Sequence, residues 1–309
     1  MALLSRVADR VHWGARYIER AEDTARVLRA FGDLYVDFPV AAGLTWGPLV
    51  AITGEAPIVS DSADRGEREV LHRLIADASN PGSIIAAVEA ARENLRTTRE
   101  VMPREAWLAI NQIARLARDE APRAVGRRNR DWFLTRVIEI SRRLDGVLES
   151  TMTRDPAWHM WRLGRLVERA DMTTRVLGVR AASLLRPAES LGADLADVQW
   201  MGVLRSLSAL QMYQRAVRGP IEAGDVMRFL LFHEGFPRSV RSCLVGIQSE
   251  VLALPDPREV LEAVGDALAA LDACDPEASD GWAIDADMDR LQVSLVALDR
   301  AIISRYFTW

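Results

Sequence analysis

The chain has 309 residues, a formal net charge of −5 and 39 basic residues, all of them arginine because no lysine occurs. Without lysine, the chain lacks the residue that forms a Schiff base, holds phosphate in a P-loop or contacts ATP in a kinase-type site. Apolar residues make up 49% of the chain, which is enough to fill a large core.

Helical periodicity dominates the sequence, and alternating strand patterns are scarce. A long irregular segment from Asp37 to Gly66 is interrupted by one short helical piece at Pro48 to Ile52. The pattern predicts an all-α, multi-helix bundle with no sheet, forming one domain over residues 1–309. The predicted helices run from Leu4 to Phe31, Ser83 to Arg99, Pro103 to Arg118, Asn129 to Thr151, Pro156 to Leu185, Asp194 to Arg218, Gly224 to Phe232, Pro237 to Leu252, Asp256 to Ala273 and Asp285 to Tyr306.

Charge is distributed unevenly along the chain. The segment from Glu250 to Asp299 carries a net charge of −11, so the remainder carries +6. This asymmetry indicates an acidic lobe against a basic one and argues against a nucleic-acid partner, which usually requires an overall basic excess. The longest weakly charged stretch, Pro39 to Gly54, is too short and too rich in Pro and Gly to span a membrane.

The cysteine and histidine content limits the cofactor chemistry. Two distant cysteines, Cys243 and Cys274, form neither a disulfide framework nor a zinc cluster, which is typical of a cytoplasmic protein. The only Glu-x-x-His motif, from Glu69 to His72, falls short of the two that a di-iron bundle requires. We therefore expect no metal and no cofactor, and the charges within the first twenty residues exclude a secretory signal.

An internal repeat is the most informative feature. Residues 16–28, RYIERAEDTARVL, align with residues 165–177, RLVERADMTTRVL, at a constant offset of 149, with eight of thirteen positions identical. The repeat predicts two related helical halves, residues 4–151 and 152–309, packed with approximate two-fold symmetry.

The arginines of this repeat are the candidate site residues. On a helical wheel they lie, together with Glu19 and Glu168, roughly opposite an apolar stripe that contains small residues. Because this charged face mixes arginine and glutamate, it allows local neutralisation. They would either surround a site for a carboxylate, phosphate or peptide, or bridge helices as buried ion pairs. Glu19 and Glu168 are weak candidates for a general base. Beside the repeat, Arg92 belongs to a predicted basic ridge, and Arg238 lies near a helix start that could bind an anion. The binding or interface candidates are Arg16, Arg20, Arg26, Arg165, Arg169, Arg175, Arg92 and Arg238.

The two Glu-Arg segments, RYIERAEDTAR and WRLGRLVERADMTTR, closely resemble the alpha-E family, which is named for its helices and its Glu-Arg motif. Three further segments fit the same pattern: ARENLRTTREVMPREAW, WMGVLRSLSALQMYQR and FLLFHEGFPRSVRSCL. The resemblance extends from Leu4 to about Phe307, so it covers nearly the whole chain.

The resemblance implies an all-helical protein whose gene lies beside, or is fused to, that of a circularly permuted ATP-grasp enzyme, often near a transglutaminase-like protein. It assigns no catalytic residues. The function it implies is that of a partner subunit in an ATP-grasp-linked peptide ligation or modification system. The alternatives are an enzyme in its own right, a transferase or hydrolase with a glutamate as general base, and a structural protein that forms homo-oligomers.

Overall fold

Every regular element in the described part of the chain is a helix, and no strand occurs there, which confirms the predicted all-α class. This computed structural model describes residues 4–37, 45–54, 63–184, 193–277 and 281–307. The α-helices are α1 (Ser5–Asp37), α2 (Ala63–Leu71), α3 (Ile84–Arg96), α4 (Arg104–Ala124), α5 (Arg127–Thr151), α6 (Pro156–Leu184), α7 (Ala193–Ser206), α8 (Leu210–Ala216), α9 (Ala223–Phe232), α10 (Val240–Leu252), α11 (Arg258–Asp272) and α12 (Gly281–Tyr306).

Eight of these helices form two four-helix groups. In the first, α1 packs against α3 and α5, and α4 closes the ring by packing against both. In the second, α6 packs against α10 and α12, and α11 closes the ring in the same way. Each outer helix buries one apolar stripe at three- and four-residue spacing, as in α11 with Val260, Val264, Ala267 and Leu271. The order of packing partners is therefore the same in both groups.

The two groups meet where α1 packs along α6, and this is the most extensive contact between helices. Helix α7 also covers α1, and a short 3-10 helix at Gly47–Thr53 packs against α6. The buried apolar residues of both groups belong to one continuous core. A two-fold relation between the two halves of the chain remains a prediction, and the matching order of contacts is the observation that supports it.

Helices α3 and α10 begin with the same turn. Ser83 and Ser239 each cap the following helix by accepting a backbone N–H, from Ala86 at 3.2 Å and from Ser242 at 3.0 Å. Each serine hydroxyl also donates to the carbonyl six residues earlier, Asp77 in one turn and His233 in the other. A proline lies two positions before each serine, and the residue between them is Gly82 in one turn and Arg238 in the other.

The structure departs from the predicted boundaries in several places; α1 ends at Asp37 and not Phe31, and α4 ends at Ala124 and not Arg118. The single helix predicted from Asp194 to Arg218 is two helices, α7 and α8, because the chain turns at Ser208, whose φ of 53° lies in the left-handed region. The predicted short piece at Pro48 to Ile52 is the 3-10 helix Gly47–Thr53. Most of the remaining irregular segment between Asp37 and Gly66 lies outside the described residues, although α2 begins within it.

Candidate functional site

The two Glu-Arg segments face each other where α1 crosses α6. At the crossing, Gly164 lies so close to α1 that a Cβ atom there would be 2.2 Å from the His12 carbonyl oxygen and 3.1 Å from the Ala15 Cβ. Ala15 and Gly164 occupy matched positions, because they are 149 residues apart. Small residues at this point let the two backbones approach, and the charged side chains on either side then reach across.

On one side of the crossing, Glu168 of α6 binds two arginines of α1. Arg16 donates to Glu168 through Nε at 2.9 Å, and Arg20 donates through Nε at 2.5 Å and a terminal nitrogen at 3.0 Å. The Glu168 side chain is almost fully buried. Arg16 also donates to Asp299 of α12 at 2.6 Å, and Asp299 lies 3.2 Å from the His12 ring. We refer to His12, Arg16, Arg20, Glu168 and Asp299 as the Glu168 cluster.

On the other side, the same contacts recur with the helices exchanged. Arg165 of α6 donates to Glu19 of α1 at 2.7 and 2.5 Å, and Arg169 donates to the same carboxylate at 2.9 and 3.1 Å. Arg165 also pairs with Asp145 of α5. The interactions are reciprocal: each motif supplies the glutamate for the other motif's two arginines.

The Glu19 side contains two charges, Arg238 and Asp23, that have no counterpart on the Glu168 side, whereas Glu22 and Arg26 correspond to Asp171 and Arg175 there. Arg238, from the turn before α10, lies 2.8 Å from Glu19 and donates to Asp23 at 2.8 Å. Arg26 pairs with Asp23 and lies 3.4 Å from Glu22. We refer to this group as the Glu19 cluster, and it comprises Glu19, Glu22, Asp23, Arg26, Asp145, Arg165, Arg169 and Arg238.

The electrostatic environment keeps both motif glutamates ionised. Burial alone would raise the pKa of Glu19, but Arg165, Arg169 and Arg238 hold it well below its usual value. Burial likewise opposes ionisation of Glu168, and Arg20 and Arg16 lower its pKa. Charges taken out of water in this way are tolerated because each is hydrogen-bonded to an opposite charge.

Neither glutamate has the environment of a general base. A general base needs a pKa near the working pH, whereas the arginines lower the pKa of both carboxylates. Glu19 is also completely inaccessible to solvent. The cysteine nearest to this site, Cys243, is a poor nucleophile because burial raises the pKa of its thiol to about 12.

The Glu19 cluster contains three carboxylates spaced closely enough to hold a metal ion. Atoms of Glu19, Glu22 and Asp145 all lie within 4.8 Å of one another. Each already faces a guanidinium group: Arg165 contacts Glu19 and Asp145, and Arg142 lies 3.4 Å from Glu22. A divalent cation would have to enter a group whose negative charge is already compensated, so these residues do not fit a metal site.

The structure gathers six of the eight candidate arginines around the crossing and leaves two elsewhere. Arg16, Arg20, Arg26, Arg165, Arg169 and Arg238 belong to the two clusters. Their charges are neutralised mainly between helices, so the predicted local neutralisation of charges along one helix holds only in part, at Arg26 within the clusters and at Arg175 outside them. Arg175 pairs with Asp171 at 2.7 Å, one turn earlier on its own helix. Arg92 donates to Asn111 at 3.1 Å and lies over the Trp107 ring, away from the crossing.

The sequence interpretation missed the acidic residues that complete the clusters. Asp145 and Asp299 each follow a leucine on the last helix of its half. Each forms an ion pair with the first arginine of a motif, Asp145 with Arg165 and Asp299 with Arg16. The weak echo of the motif in the segment from Leu298 to Arg305 contains Asp299, and it was the only signal available. Asp23 gave no such signal, because the repeat has Met172 at the matched position.

A separate open cleft of about 440 Å³ lies between α2 and the end of α4. It contains both residues of the Glu-x-x-His motif, Glu69 and His72, together with Arg68. Two metal-binding side chains are fewer than a protein-built metal site requires. None of the helices in the described part of the chain combines the length and apolar character that crossing a membrane requires.

Comparison with known proteins places this architecture in a family. Uncharacterised proteins of Mycobacterium bovis and of Mycobacterium tuberculosis are each 24% identical over 269 residues, which cover 81% of this chain but 30% of theirs. The chain thus spans about three tenths of the length of the curated relatives that it matches. No solved structure matches it. The family model described as an α-helical domain with a conserved ER motif matches residues 3–307, so the chain belongs to the Alpha-E family.

Proposed function

We propose that this chain is a non-ATP-binding partner subunit of an ATP-grasp-linked system that ligates or modifies peptides. The observation that carries the proposal is the length comparison: in its relatives, the matching region is about three tenths of a longer chain. A module that occurs as part of a longer chain acts beside the other parts of that chain. By the same reasoning, the present chain acts beside an ATP-grasp protein or domain of the same system.

The chain's own chemistry supports a non-catalytic role. It has no lysine and no phosphate-binding motif, so the ATP chemistry would belong to the partner. The arginines that could recognise an acidic group are already occupied. The Arg20 side chain is 21% exposed and that of Arg169 is 11% exposed, and each donates two hydrogen bonds to a glutamate. The Glu-Arg helices thus serve as a rigid centre, and the outer surface provides the docking site.

Co-purification tests the partnership directly. The tagged chain is co-expressed with an ATP-grasp protein of the kind that the family resemblance implies, and the two are expected to elute together in equal amounts. Amino-acid-dependent ADP release by the ATP-grasp protein is then measured with and without the chain, and we expect a several-fold change in rate. An ATP-grasp variant with a disabled nucleotide site is the control that assigns the hydrolysis to the partner. Absence of both a complex and a rate change contradicts the proposal.

A second measurement separates docking from recognition of an acidic group. A triglutamate peptide is titrated into the chain alone and into an Arg169→Gln variant, with binding followed by calorimetry. Because the arginines are bound to Glu19 and Glu168, we expect no heat of binding in either case. Binding to the unmodified chain that is lost in the variant would instead favour a peptide site at the crossing.

A further inference from the structure

The outward face of α12 carries a regular stripe of exposed residues. Ala286, Asp289, Val293, Val296 and Arg300 are all exposed, with 71% exposure at Val293 and 45% at Val296. Their spacing of three, four, three and four residues is that of the a and d positions of a coiled coil. At 100° per residue, the five side chains fall within about 80° of one another. The stripe is therefore a coiled-coil seam that faces away from the core.

The opposite face of α12 accounts for the packing of this helix. Leu291, Leu295, Leu298 and Ile302 are buried, and α12 contacts α6 and α11 through that side. Two β-branched side chains at seam positions on the outer face contribute nothing to this core. An exposed apolar seam on a helix that is already fully packed indicates a contact with another molecule.

The charges of the stripe identify the partner, because the stripe is complementary to itself. When two copies of α12 lie antiparallel, Val293 of one faces Val296 of the other, and Asp289 faces Arg300. Each of these contacts occurs twice, once on either side of the symmetry axis, as an isologous interface requires. The next layer outward places Ala286 opposite Ile303, so a small side chain meets a large one.

The two charged residues are available for such pairing. Asp289 and Arg300 are both exposed, and neither forms an ion pair with another residue in the described ranges. The neighbouring Arg290 is paired with Asp287 on its own helix, at 2.9 Å, so it does not compete for Asp289. An opposite charge from a second molecule is thus the missing partner of each residue.

We propose that α12 is the interface of an antiparallel homodimer, in which Val293 and Val296 form the centre and Asp289 and Arg300 pair across it. The seam from Ala286 to Ile303 is roughly 26 Å long at 1.5 Å per residue. A single helix pair of this length buries less area than a standard protein interface. The dimer is therefore weak, with dissociation in the micromolar range, and high salt weakens it further by screening the ion pairs.

Sedimentation velocity over about 1 to 300 µM protein tests this interface. The unmodified chain should shift from monomer to dimer across this range. Asp289→Arg places two arginines opposite each other, and Arg300→Asp places two aspartates opposite each other, so each variant should weaken dimerisation at least tenfold. An equimolar mixture of the two variants restores both opposite-charge contacts and should form a heterodimer. The double variant with both changes should dimerise like the unmodified chain.

Glu262→Arg, a charge reversal at an exposed position of α11, is the matched control and should leave association unchanged. Circular dichroism confirms that each variant is folded, which is expected because the changed residues are exposed. A chain that stays monomeric throughout, single variants that dimerise normally, or a mixture that fails to associate would each overturn the proposal. None of these outcomes bears on the ATP-grasp partnership, which is measured separately.

Discussion

The Glu19 cluster and the Glu168 cluster have the same plan but differ in composition. In both, one glutamate binds two arginines from the facing helix. The first of these arginines also binds an aspartate, which comes from α5 in the Glu19 cluster and from α12 in the Glu168 cluster. Only the Glu19 cluster contains a third arginine on its glutamate, Arg238. The glutamate–arginine contacts that both clusters share follow from the repeated motif. The third arginine, Arg238, comes from the turn before α10.

The equivalent turn before α3 explains the difference. It has Gly82 where the other turn has Arg238, and a Cβ at Gly82 would lie 2.4 Å from a methyl carbon of Thr53. The 3-10 helix thus occupies the space that a side chain would need. The residue that Arg238 binds, Asp23, is likewise replaced by Met172 at the matched position of α6. The added cation and its added anion therefore occur together on one side and are both missing on the other.

Removing the motif glutamates should give the largest loss of stability and the clearest difference between the two clusters. Glu19→Gln leaves Arg165, Arg169 and Arg238 without their common partner, and we expect it to lower the free energy of unfolding by about 3–5 kcal/mol. Glu168→Gln affects two arginines, so its loss should be smaller by at least about 1 kcal/mol. Urea denaturation followed by circular dichroism measures both losses. Equal losses contradict the difference between the clusters, and Glu262→Gln on the exposed face of α11 is the control.

The coupling between Arg238 and Asp23 has the next largest expected effect. Arg238→Ala and Asp23→Met each remove one of the two opposite charges that contact a buried charged group, and each should cost about 2–3 kcal/mol. The double variant removes from the Glu19 cluster the cation and the anion that have no counterpart in the Glu168 cluster. Its cost should fall below the sum of the two single costs by at least about 1 kcal/mol. Additive costs in the same denaturation experiment would mean that the two residues do not act as a pair.

The crossing itself can be tested at Gly164, which affects both clusters at once. Gly164→Ala brings a methyl group against the His12 backbone, so we expect it to cost about 1–3 kcal/mol by forcing the helices apart. Gly146→Ala in α5 is the matched control, because its methyl group meets nothing within 4 Å. The control should stabilise the chain by about 0.5–1 kcal/mol through helix propensity. Thermal denaturation that showed a gain for both variants would contradict a close approach at Gly164.

The smallest expected effect is a pH dependence that originates in the Glu19 cluster. Burial raises the pKa values of Asp23 and Asp145 to about 6 from an ordinary value of 3.8. The folded state retains these protons to a higher pH than the unfolded chain does. The free energy of unfolding therefore falls as pH rises from about 4 to above 6. Glu19 has the opposite shift, and its contribution is lost only as pH falls below its ordinary value of 4.5.

The two aspartates should raise the Tm at about pH 5.5 relative to about pH 7.5, whereas the buried His12, whose pKa burial lowers, acts in the opposite direction. The aspartate contribution is therefore measured by substitution. Asp145→Asn cannot lose a proton and should lower the Tm at about pH 5.5 relative to that at about pH 7.5, whereas Asp275→Asn, at an exposed position after α11, should not. Scanning calorimetry at the two pH values measures all three proteins. An Asp145→Asn variant with the same Tm difference as the unmodified chain would show that Asp145 is ionised at both pH values.

Much of the fold could be predicted from residue spacing. Long, strongly periodic segments such as Asn129 to Thr151 correspond closely to observed helices, because each buries one continuous apolar stripe. The break at Ser208 was missed because the apolar pattern continues through it and neither Pro nor Gly lies within five residues of it. Local patterns cannot reveal a turn that is stabilised by the helices packed around it.

Residue spacing and repetition are enough to establish that the chain is all-helical, that two segments repeat, and that arginine and glutamate occupy matched positions in them. Which charge binds which depends on how the helices pack. An ion pair between helices depends on where their axes cross, and the close approach at Gly164 brings Glu19 to Arg165 and Glu168 to Arg16. Packing also places Asp145, Asp299 and Arg238 beside the crossing. They pair there with buried charges that the two motifs do not neutralise by themselves.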